Sequence, residues 1–417
     1  MNRRFSYLFI SVIGWMLLAF PSNAQNLQKL SIDTLVARLK SNNPKLQSSR
    51  FGTMAAHYMI QQRSAWEAPM IGLTLDDAPI KQFPEQKMIS ASVSQRIPFP
   101  GKKSLESHTA HLGKLMMESE SNNIEQDLLV MLYSAYYDLY LHEKKIRLIR
   151  ENQIMLHQLS EVAQRQYENG MGKQADILKI QTEYSIMKKE EISLMSEVVM
   201  FQTEINNLTN QPASTEFETT EFSRPMTENS SAAEMMVTAK QYQPKLQIMN
   251  YQVKMFDSET ERSKKEWYPD FEIKGAVKQD LEMDLKTWML EFGITVPIAP
   301  WSSGSVEGKI NETEMKKKQA EYELIFMTRE IENQIRSLYS DLQRSQTIHN
   351  LYLTTITPQA ELTLQSTVAA YKTGKATFME VNDSHHMLID AKINQLHAEN
   401  DYLKTYVKLQ RTMGILQ

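Results

Sequence analysis

Apolar residues recur along two long stretches of this chain at alternating steps of four and three residues, the spacing of helices that pack as coiled coils. The pattern predicts one very long helix from Lys102 to Asn169 and another from Ser303 to Thr373. At ~1.5 Å per residue such helices extend roughly 100 Å, which suits a rod or the wall of a tube. The clearest run of seam positions is Leu128, Leu132, Ala135, Leu139, Ile146, Ile149, Leu156, Ala163 and Tyr167.

Four shorter segments alternate apolar and polar residues, which is the period of a β-strand with two different faces. They are Ile71 to Asp76, Ile89 to Ile97, Asp270 to Lys278 and Trp288 to Pro297. Tilted strands of about ten residues can cross a bilayer, with the charged positions facing a wet lumen. Two hairpins that pack on the helices and leave one side in water are the alternative.

The predicted elements occur twice, about 200 residues apart. Each copy has a first helix (Ile32 to Ser64; Ala232 to Lys265), a β-hairpin, a very long helix and a final helix (Lys173 to Leu208; Ala376 to Gly414). The landmarks that match in order are Asn43-Pro44-Lys45-Leu46 with Gln243-Pro244-Lys245-Leu246, Trp66 with Trp267, Ile97-Pro98 with Val296-Pro297, and Tyr167-Glu168-Asn169-Gly170 with Tyr371-Lys372-Thr373-Gly374. Such self-similarity indicates a duplication.

The duplication sets the predicted organisation of the chain. We expect a first structural repeat over residues 25–210, a linker without periodicity over residues 211–231, and a second repeat over residues 232–417. The predicted fold class is mainly α with a small β part, built from duplicated coiled-coil hairpins and two β-hairpins per chain.

Residues 1–24 have the pattern of a cleavable secretory signal peptide. Arg3 and Arg4 precede a short apolar core, and Ser22-Asn23-Ala24 has the small residues of a cleavage site. The core is shorter than the ~20 residues that span a bilayer, which favours cleavage over a membrane anchor. Export is therefore expected.

Composition excludes several kinds of function. The chain has no cysteine, so disulfides, thiolate metal sites and cysteine nucleophiles are absent. Its formal net charge of −4 gives no indication of a nucleic-acid partner. No nucleotide-binding loop, catalytic triad or zinc-binding helix motif occurs in the sequence. We expect no enzyme activity, no cofactor and no metal site.

Strand number constrains the assembly. Four strands cannot close a membrane barrel, for which eight is the smallest usual number. Two copies would give eight strands and an interior filled by side chains, whereas three would give twelve and leave a lumen. If these strands enter a membrane, the protein must be an oligomer, and a channel argues for at least three copies.

Several short motifs in this order resemble those of one known family. They are Asn43-Pro44-x-Leu46, Ser94-Gln95-x-Ile97-Pro98-x-Pro100-Gly101-Lys102, the Tyr-x-x-Gly turns at Tyr167 and Tyr371, and Leu409-x-x-x-Met413-Gly414. Together they resemble the TolC-like outer membrane efflux proteins, the exit ducts of tripartite pumps. The resemblance implies a homotrimer whose twelve strands form one β-barrel in outer-membrane lipid and whose helices form a periplasmic tunnel. It also implies two partners, a periplasmic adaptor (membrane fusion) protein and an inner-membrane pump of the RND or a similar type.

The resemblance further implies a gate at the periplasmic end of the tunnel, ringed by acidic residues. The family places an acidic residue six positions after the turn glycine, which selects Asp176 in the first repeat and Glu380 in the second. Asp383 lies one turn further along the same predicted helix. The alternative is that these are solvated residues at helix starts, which the helix dipole favours. The family's gate-locking basic residue is replaced here by Ala376, so that pairing is not carried over.

Gly170 and Gly374 should end the long helices with a left-handed turn. In the family these helix–helix turns contact the adaptor. The resemblance therefore gives both glycines an expected place in the adaptor contact, in addition to their role as helix ends.

The cargo and the class of function have alternatives in the sequence. The 26 methionines could indicate a heavy-metal duct of the copper/silver or cobalt-zinc-cadmium type, although most lie in predicted helices and suit ordinary packing. His385 and His386 lie near the presumed gate, but adjacent helical residues point in different directions, so we expect solvent exposure rather than metal ligation. In a different class, a periplasmic coiled-coil tether or adaptor would also use long paired helices.

Overall fold

The computed structural model describes residues 28–76, 88–170, 172–222, 231–281, 283–297, 299 and 301–417. The predicted signal peptide, residues 1–24, lies outside these residues. The prediction of a mainly helical chain with a small β part is confirmed. None of the described helices is both long enough and apolar enough to cross a membrane.

The order of elements is the same in the two halves of the chain, except that the long helix of the second half is divided in two. The first half contains β1 (Gln28–Leu30), α1 (Ile32–Asn42), α2 (Pro44–Ser64), β2 (Met70–Asp76), β3 (Met88–Ile97), α3 (Lys102–Glu168) and α4 (Gln174–Leu208). The second half contains β4 (Phe217–Thr219), α5 (Ala232–Tyr242), α6 (Pro244–Lys264), β5 (Phe271–Asp280), β6 (Leu285–Ile294), α7 (Ser303–Leu351), α8 (Thr357–Lys372) and α9 (Phe378–Met413).

The first helix predicted for each repeat is in fact two helices, so that prediction is wrong in both places. The chain breaks at Asn43 and Gln243, whose ψ angles of 121° and 115° are extended. Each precedes a proline, whose ring pushes the residue before it out of the α region. Asn43 also caps α2, because its Oδ1 accepts a hydrogen bond from the Leu46 N–H at 3.1 Å. Its Nδ2 donates to the Leu208 carbonyl at 2.8 Å, which ties the bend to the end of α4.

The two long helices differ. The first, α3, is unbroken over 67 residues, and the predicted seam is buried from Leu128 to Ala163. The second is interrupted by a π-helical turn, Tyr352–Ile356, between α7 and α8. Pro358 explains the interruption, since proline lacks an N–H and its ring crowds the preceding turn of a helix. Thr357 Oγ1 donates to Gln395 Oε1 at 2.9 Å and holds this turn against α9.

The apolar core consists of two clusters along the helical bundle. One joins α1, α3, α5, α7 and α9 with Phe217 of β4, and the other lies between α3, α4, α8 and α9 toward the helix tips. Part of the predicted linker contributes to this core, because Phe217–Thr219 pairs in parallel with β1. Phe217 is buried, and it supplies the apolar contact that fixes this two-stranded sheet on the helices.

Candidate functional site

The two predicted β-hairpins pair with each other and form one antiparallel sheet in the order β2-β3-β5-β6. The register places Ile71 opposite Val93, Val93 opposite Gly275, and Gly275 opposite Leu290. Because successive side chains of a strand point to opposite faces, this register gathers most of the large apolar residues of the four strands on one face. That face carries Ile71, Leu73, Leu75, Ile89, Ala91, Val93, Ile273, Val277, Trp288, Leu290 and Phe292.

The apolar face is open rather than covered by helices. Ile71 and Trp288 are each 80% exposed, and Phe292 is 71% exposed. A contiguous apolar surface of this kind marks contact with another protein or with a membrane. The opposite face is polar and charged, with Thr74, Ser90, Ser92, Ser94, Arg96, Glu272, Lys274, Lys278, Thr287 and Glu291.

The sheet has two free edges. Within the described residues, β2 pairs only with β3, and β6 pairs only with β5. An edge strand presents a row of unpaired N–H and C=O groups that can pair with a strand of another chain. The edges and the apolar face are both surfaces that a single copy leaves open.

The second part of the site is the pair of turns at the helix tips. Gly170 and Gly374 both have φ +73°, the left-handed conformation expected from the sequence. Their N–H groups donate to the carbonyls of Tyr167 and Tyr371 respectively, both at 3.0 Å. No described atom comes within 4 Å of the place where a Cβ would stand on either glycine. Glycine is therefore required by the backbone here, and both turns are open to an approaching partner.

The two tips lie side by side. Gln166 Nε2, in the last turn of α3, donates to the Tyr371 carbonyl at 3.2 Å. Burial raises the pKa of Tyr371, and the nearby charge of Asp176 raises it further. Asp176 in the first turn of α4 and Glu380 in the first turn of α9 are thus at the same end of the molecule. The structure thus places the acidic residues selected in the two repeats at one end of the molecule, in the first turns of their helices.

Glu380 has a local structural role as well. Its Oε2 accepts a hydrogen bond from the Thr377 N–H at 2.7 Å, while its own N–H donates to Thr377 Oγ1 at 3.4 Å. This reciprocal capping box starts α9. Asp383, one turn further on, is exposed, and Asp176 is half-buried. A helix-start role is therefore established for Glu380 whatever else its charge does.

His385 contradicts the expectation of solvent exposure, since it is 1% exposed. Its Nε2 lies 3.2 Å from Asn152 Oδ1 of α3, and Asn152 Nδ2 donates to the Leu148 carbonyl at 2.8 Å. Burial lowers the pKa of His385 to about 4, with a smaller contribution from His386. His386 is only partly buried, and its Nε2 lies 3.2 Å from Glu183 of α4.

Adjacent residues of one helix can face different neighbours, and the sequence does not show which side of α9 packs on α3. Among the described residues, no group of three or more His, Asp or Glu side chains is arranged to hold a metal ion.

The comparisons with known proteins agree with this geometry. Residues 235–415 match the family model described as outer membrane efflux protein. The alkaline protease secretion protein AprF of Pseudomonas aeruginosa is 20% identical over 315 residues, which is 72% of this chain and 64% of AprF. The chain thus spans less than two thirds of the length of this relative.

Solved structures match over nearly the whole chain. The outer-membrane channel OprN superposes with a TM-score of 0.78 at 13% identity, over 92% of this chain and 89% of OprN. The outer membrane protein VceC of Vibrio cholerae gives a TM-score of 0.75 at 13% identity, over 92% of this chain and 96% of VceC. At such low identity the likeness establishes the fold.

Proposed function

We propose that this chain is one subunit of a passive outer-membrane exit duct, because residues 235–415 match the outer membrane efflux protein family model and the fold resembles that of solved outer-membrane channels. The observation that carries the proposal is the four-stranded sheet with one exposed apolar face and one polar face. Three of its strands have 10 residues. Strands of this length, tilted by about 45°, rise roughly 25 Å, the height of the apolar band in outer-membrane barrels.

In this proposal the apolar face contacts outer-membrane lipid and the polar face lines a water-filled lumen. The free edges of β2 and β6 pair between copies, and three copies close a barrel of twelve strands. The strands that meet between two copies are then antiparallel as well, because β2 and β6 run in opposite directions within one chain. The helices continue the duct as a tunnel in the periplasm.

Cysteine cross-linking tests the assembly directly. The chain has no cysteine, so an introduced pair reports a single contact. Thr74 of β2 and Glu291 of β6 lie on the polar face, but three strand spacings of ~4.8 Å separate their strands within one chain. That distance is too long for a disulfide, whose Cα atoms are usually no more than about 7 Å apart. A disulfide between these strands therefore requires two copies.

The experiment combines Thr74→Cys with a cysteine placed in turn at Glu291, Gly293 and Thr295, to cover the unknown register between copies. We expect one of the three combinations to give a cross-linked trimer from outer-membrane fractions. Thr74→Cys with a cysteine at Glu312 in α7 is the control and should give none. Monomeric, water-soluble mature protein with no cross-link in any combination would refute the duct and favour the coiled-coil tether.

The helix tips are the proposed gate and docking surface. Three copies of Asp176, Glu380 and Asp383 would surround the periplasmic end of the tunnel, where carboxylates held close together attract cations. The open turns at Gly170 and Gly374 would contact a periplasmic adaptor, which links the duct to an inner-membrane pump. The position of both turns at one end of the molecule supports these assignments.

Glu380→Gln combined with Asp383→Asn tests the gate without removing the cap of α9, because glutamine also serves in a capping box. We expect block of single-channel current by a multivalent cation to weaken by about tenfold, since each added carboxylate strengthens the local field. Glu312→Gln, which removes an exposed acidic charge in α7, is the control and should leave the block unchanged. Unchanged block in the double variant would show that the gate assignment is wrong.

The cargo is a separate question from the duct. The similarity to a protein named for protease secretion makes a polypeptide one candidate, beside small molecules and heavy-metal ions. A metal cargo needs no resident metal site in a passive duct, because selectivity would lie in the pump. Transport assays with each cargo class, in cells that lack this chain, would distinguish these possibilities.

A further inference from the structure

The connection from β3 to α3 is bonded to the connection from α6 to β5 through two buried charged residues. Lys102, at the start of α3, is 6% exposed, and Asp270, just before β5, is 9% exposed. Lys102 Nζ lies 2.8 Å from Asp270 Oδ1 and also donates to the Tyr268 carbonyl at 3.2 Å. We call this arrangement of Lys102 and Asp270 the joint.

Asp270 contacts the ends of both neighbouring strands. Its Oδ1 also accepts a hydrogen bond from the Phe99 N–H at 2.9 Å, and its Oδ2 accepts one from Arg96 Nη2 at 3.1 Å, both just at the end of β3. Its carbonyl accepts a hydrogen bond from the Thr295 N–H at 2.9 Å, directly after β6. One residue therefore holds the bases of β3, β5 and β6 together.

Two aromatic rings, a lysine side chain and a glycine surround the joint. The rings of Phe99 and Tyr268 stack at 4.6 Å, and the Lys265 side chain lies over them. Gly101 has φ +91°, and a Cβ there would be 3.1 Å from the Lys265 side chain. The backbone conformation therefore favours glycine at the position that precedes Lys102 in the sequence motif.

Ion pairs extend the joint along the two helices. Lys102 Nζ lies 3.5 Å from Glu266, and Glu266 lies 3.5 Å from Arg262 of α6. Arg262 Nε in turn lies 3.1 Å from Glu106 of α3. The chain of charges therefore runs from the base of the sheet into the contact between α3 and α6.

The duplication shows that such a pair is not a general requirement of a strand-to-helix connection. With the proline landmarks Pro69 and Pro269 aligned, Met70 takes the place of Asp270. With Pro100 and Pro300 aligned, Ser302 takes the place of Lys102. The connections at the outer strands β2 and β6 therefore lack the pair, which is found at the inner strands β3 and β5.

A buried ion pair contributes little net stability, because the cost of removing both charges from water offsets their attraction. Such a pair can instead act on orientation, when its charges are satisfied in one arrangement of the neighbouring elements. We propose that Lys102 and Asp270 are positioning residues, which hold the inner strands β3 and β5 at a set angle to α3 and α6. The joint is a property of one chain, and only its effect on assembly rests on the proposed duct.

The angle can be measured with spin labels at Val277 of β5 and Glu118 of α3, in protein diluted with unlabelled copies. Val277 lies ~23 Å along the strand from Asp270, so a tilt of about 10° would move it by about 4 Å. We expect the label distance to shift or broaden by this amount in Lys102→Met and in Asp270→Asn, and to stay as in the wild type in Lys102→Arg. An unchanged distance in both charge-removing variants would overturn the proposal.

Lys404→Met is the control, because it removes a partly exposed ion pair of 2.7 Å with Asp138 of the helical bundle. It should alter neither the label distance nor assembly. Helix melting, followed by circular dichroism, separates positioning from folding. The double variant Lys102→Met with Asp270→Asn leaves neither residue as a buried unpaired charge, so it should melt like the control variant. A joint variant that melts much earlier than the control and keeps the wild-type distance would show a purely structural role.

Assembly is then measured by the cross-linked trimer yield of the Thr74 cysteine combinations. We expect Lys102→Met and Asp270→Asn to lower the yield about tenfold, which corresponds to ~1.4 kcal/mol. If the wild type gives no cross-linked trimer but the label distance still shifts in the variants, the duct proposal fails and the joint stands. If trimers form and the distance is unchanged, the joint fails and the duct stands.

Discussion

Replacement of Gly414 by alanine should destabilise this chain far more than the same replacement of Gly374. Both glycines end a long helix in the left-handed conformation, with φ +80° and φ +73° respectively. The backbone cost of alanine is therefore nearly the same at the two positions, roughly 1 kcal/mol. Any difference between the two variants measures packing around the added methyl group.

The surroundings of the two glycines differ sharply. No described atom lies within 4 Å of a Cβ at Gly374. At Gly414 a Cβ would lie 2.4 Å from the Tyr242 carbonyl oxygen and 2.6 Å from Gln243 Cα. These are backbone atoms at the bend between α5 and α6, so no change of rotamer relieves the overlap. Gln243 Nε2 holds the bend in place through hydrogen bonds to the Arg411 and Thr412 carbonyls, at 3.1 and 2.8 Å.

Overpacking of this kind adds ~1–3 kcal/mol. Gly414→Ala should therefore cost roughly 2–4 kcal/mol in total, against roughly 1 kcal/mol for Gly374→Ala. In a chain of this length a loss of 1 kcal/mol lowers the melting temperature by roughly 1 °C. Melting of both variants and the wild type in one detergent, followed by circular dichroism at 222 nm, gives the comparison. Equal shifts for the two variants would refute the packing argument.

Three further predictions concern buried polar groups of the helical bundle. Stability should fall as the pH drops from 6.5 toward 4, because the pKa of His385 is lowered from 6.5 to about 4 and the unfolded chain binds the proton first. His385→Asn should flatten this dependence of the melting temperature on pH, whereas His386→Asn should not. Hydrogen bonds from Lys188, Arg150 and Gln153 lower the pKa of Glu191 to about 2, so its contribution to stability is complete above pH 4.5, declines below that pH and is lost as the pH falls through about 2. At pH 7, Glu191→Gln should cost ~1–3 kcal/mol in thermal melting, and no loss would contradict this. Asn43→Ala should cost ~1–2 kcal/mol, more than Ser31→Ala at the cap of α1, because Asn43 both caps α2 and binds the Leu208 carbonyl. Equal melting temperatures for these two variants would contradict this prediction.

The limits of the long helices could be read from the sequence almost to the residue. The seam pattern predicted a helix from Lys102 to Asn169, and α3 ends at Glu168. Helix periodicity and the left-handed turns at Gly170 and Gly374 are local properties, decided within a few residues of chain. The breaks at Asn43 and Gln243 were local as well and could have been predicted, since each residue precedes a proline.

The sequence by itself therefore determined where most of the helical segments and the four alternating strands lie, and that the whole set occurs twice. Only the tertiary structure decided that β3 pairs with β5, which puts the apolar residues of both hairpins on one open face. It also decided that His385 is buried against Asn152, and that Lys102 meets Asp270 from 168 residues away. The physical reason is the same in each case: periodicity records which way a side chain points relative to its own element, whereas its partner depends on how distant elements pack.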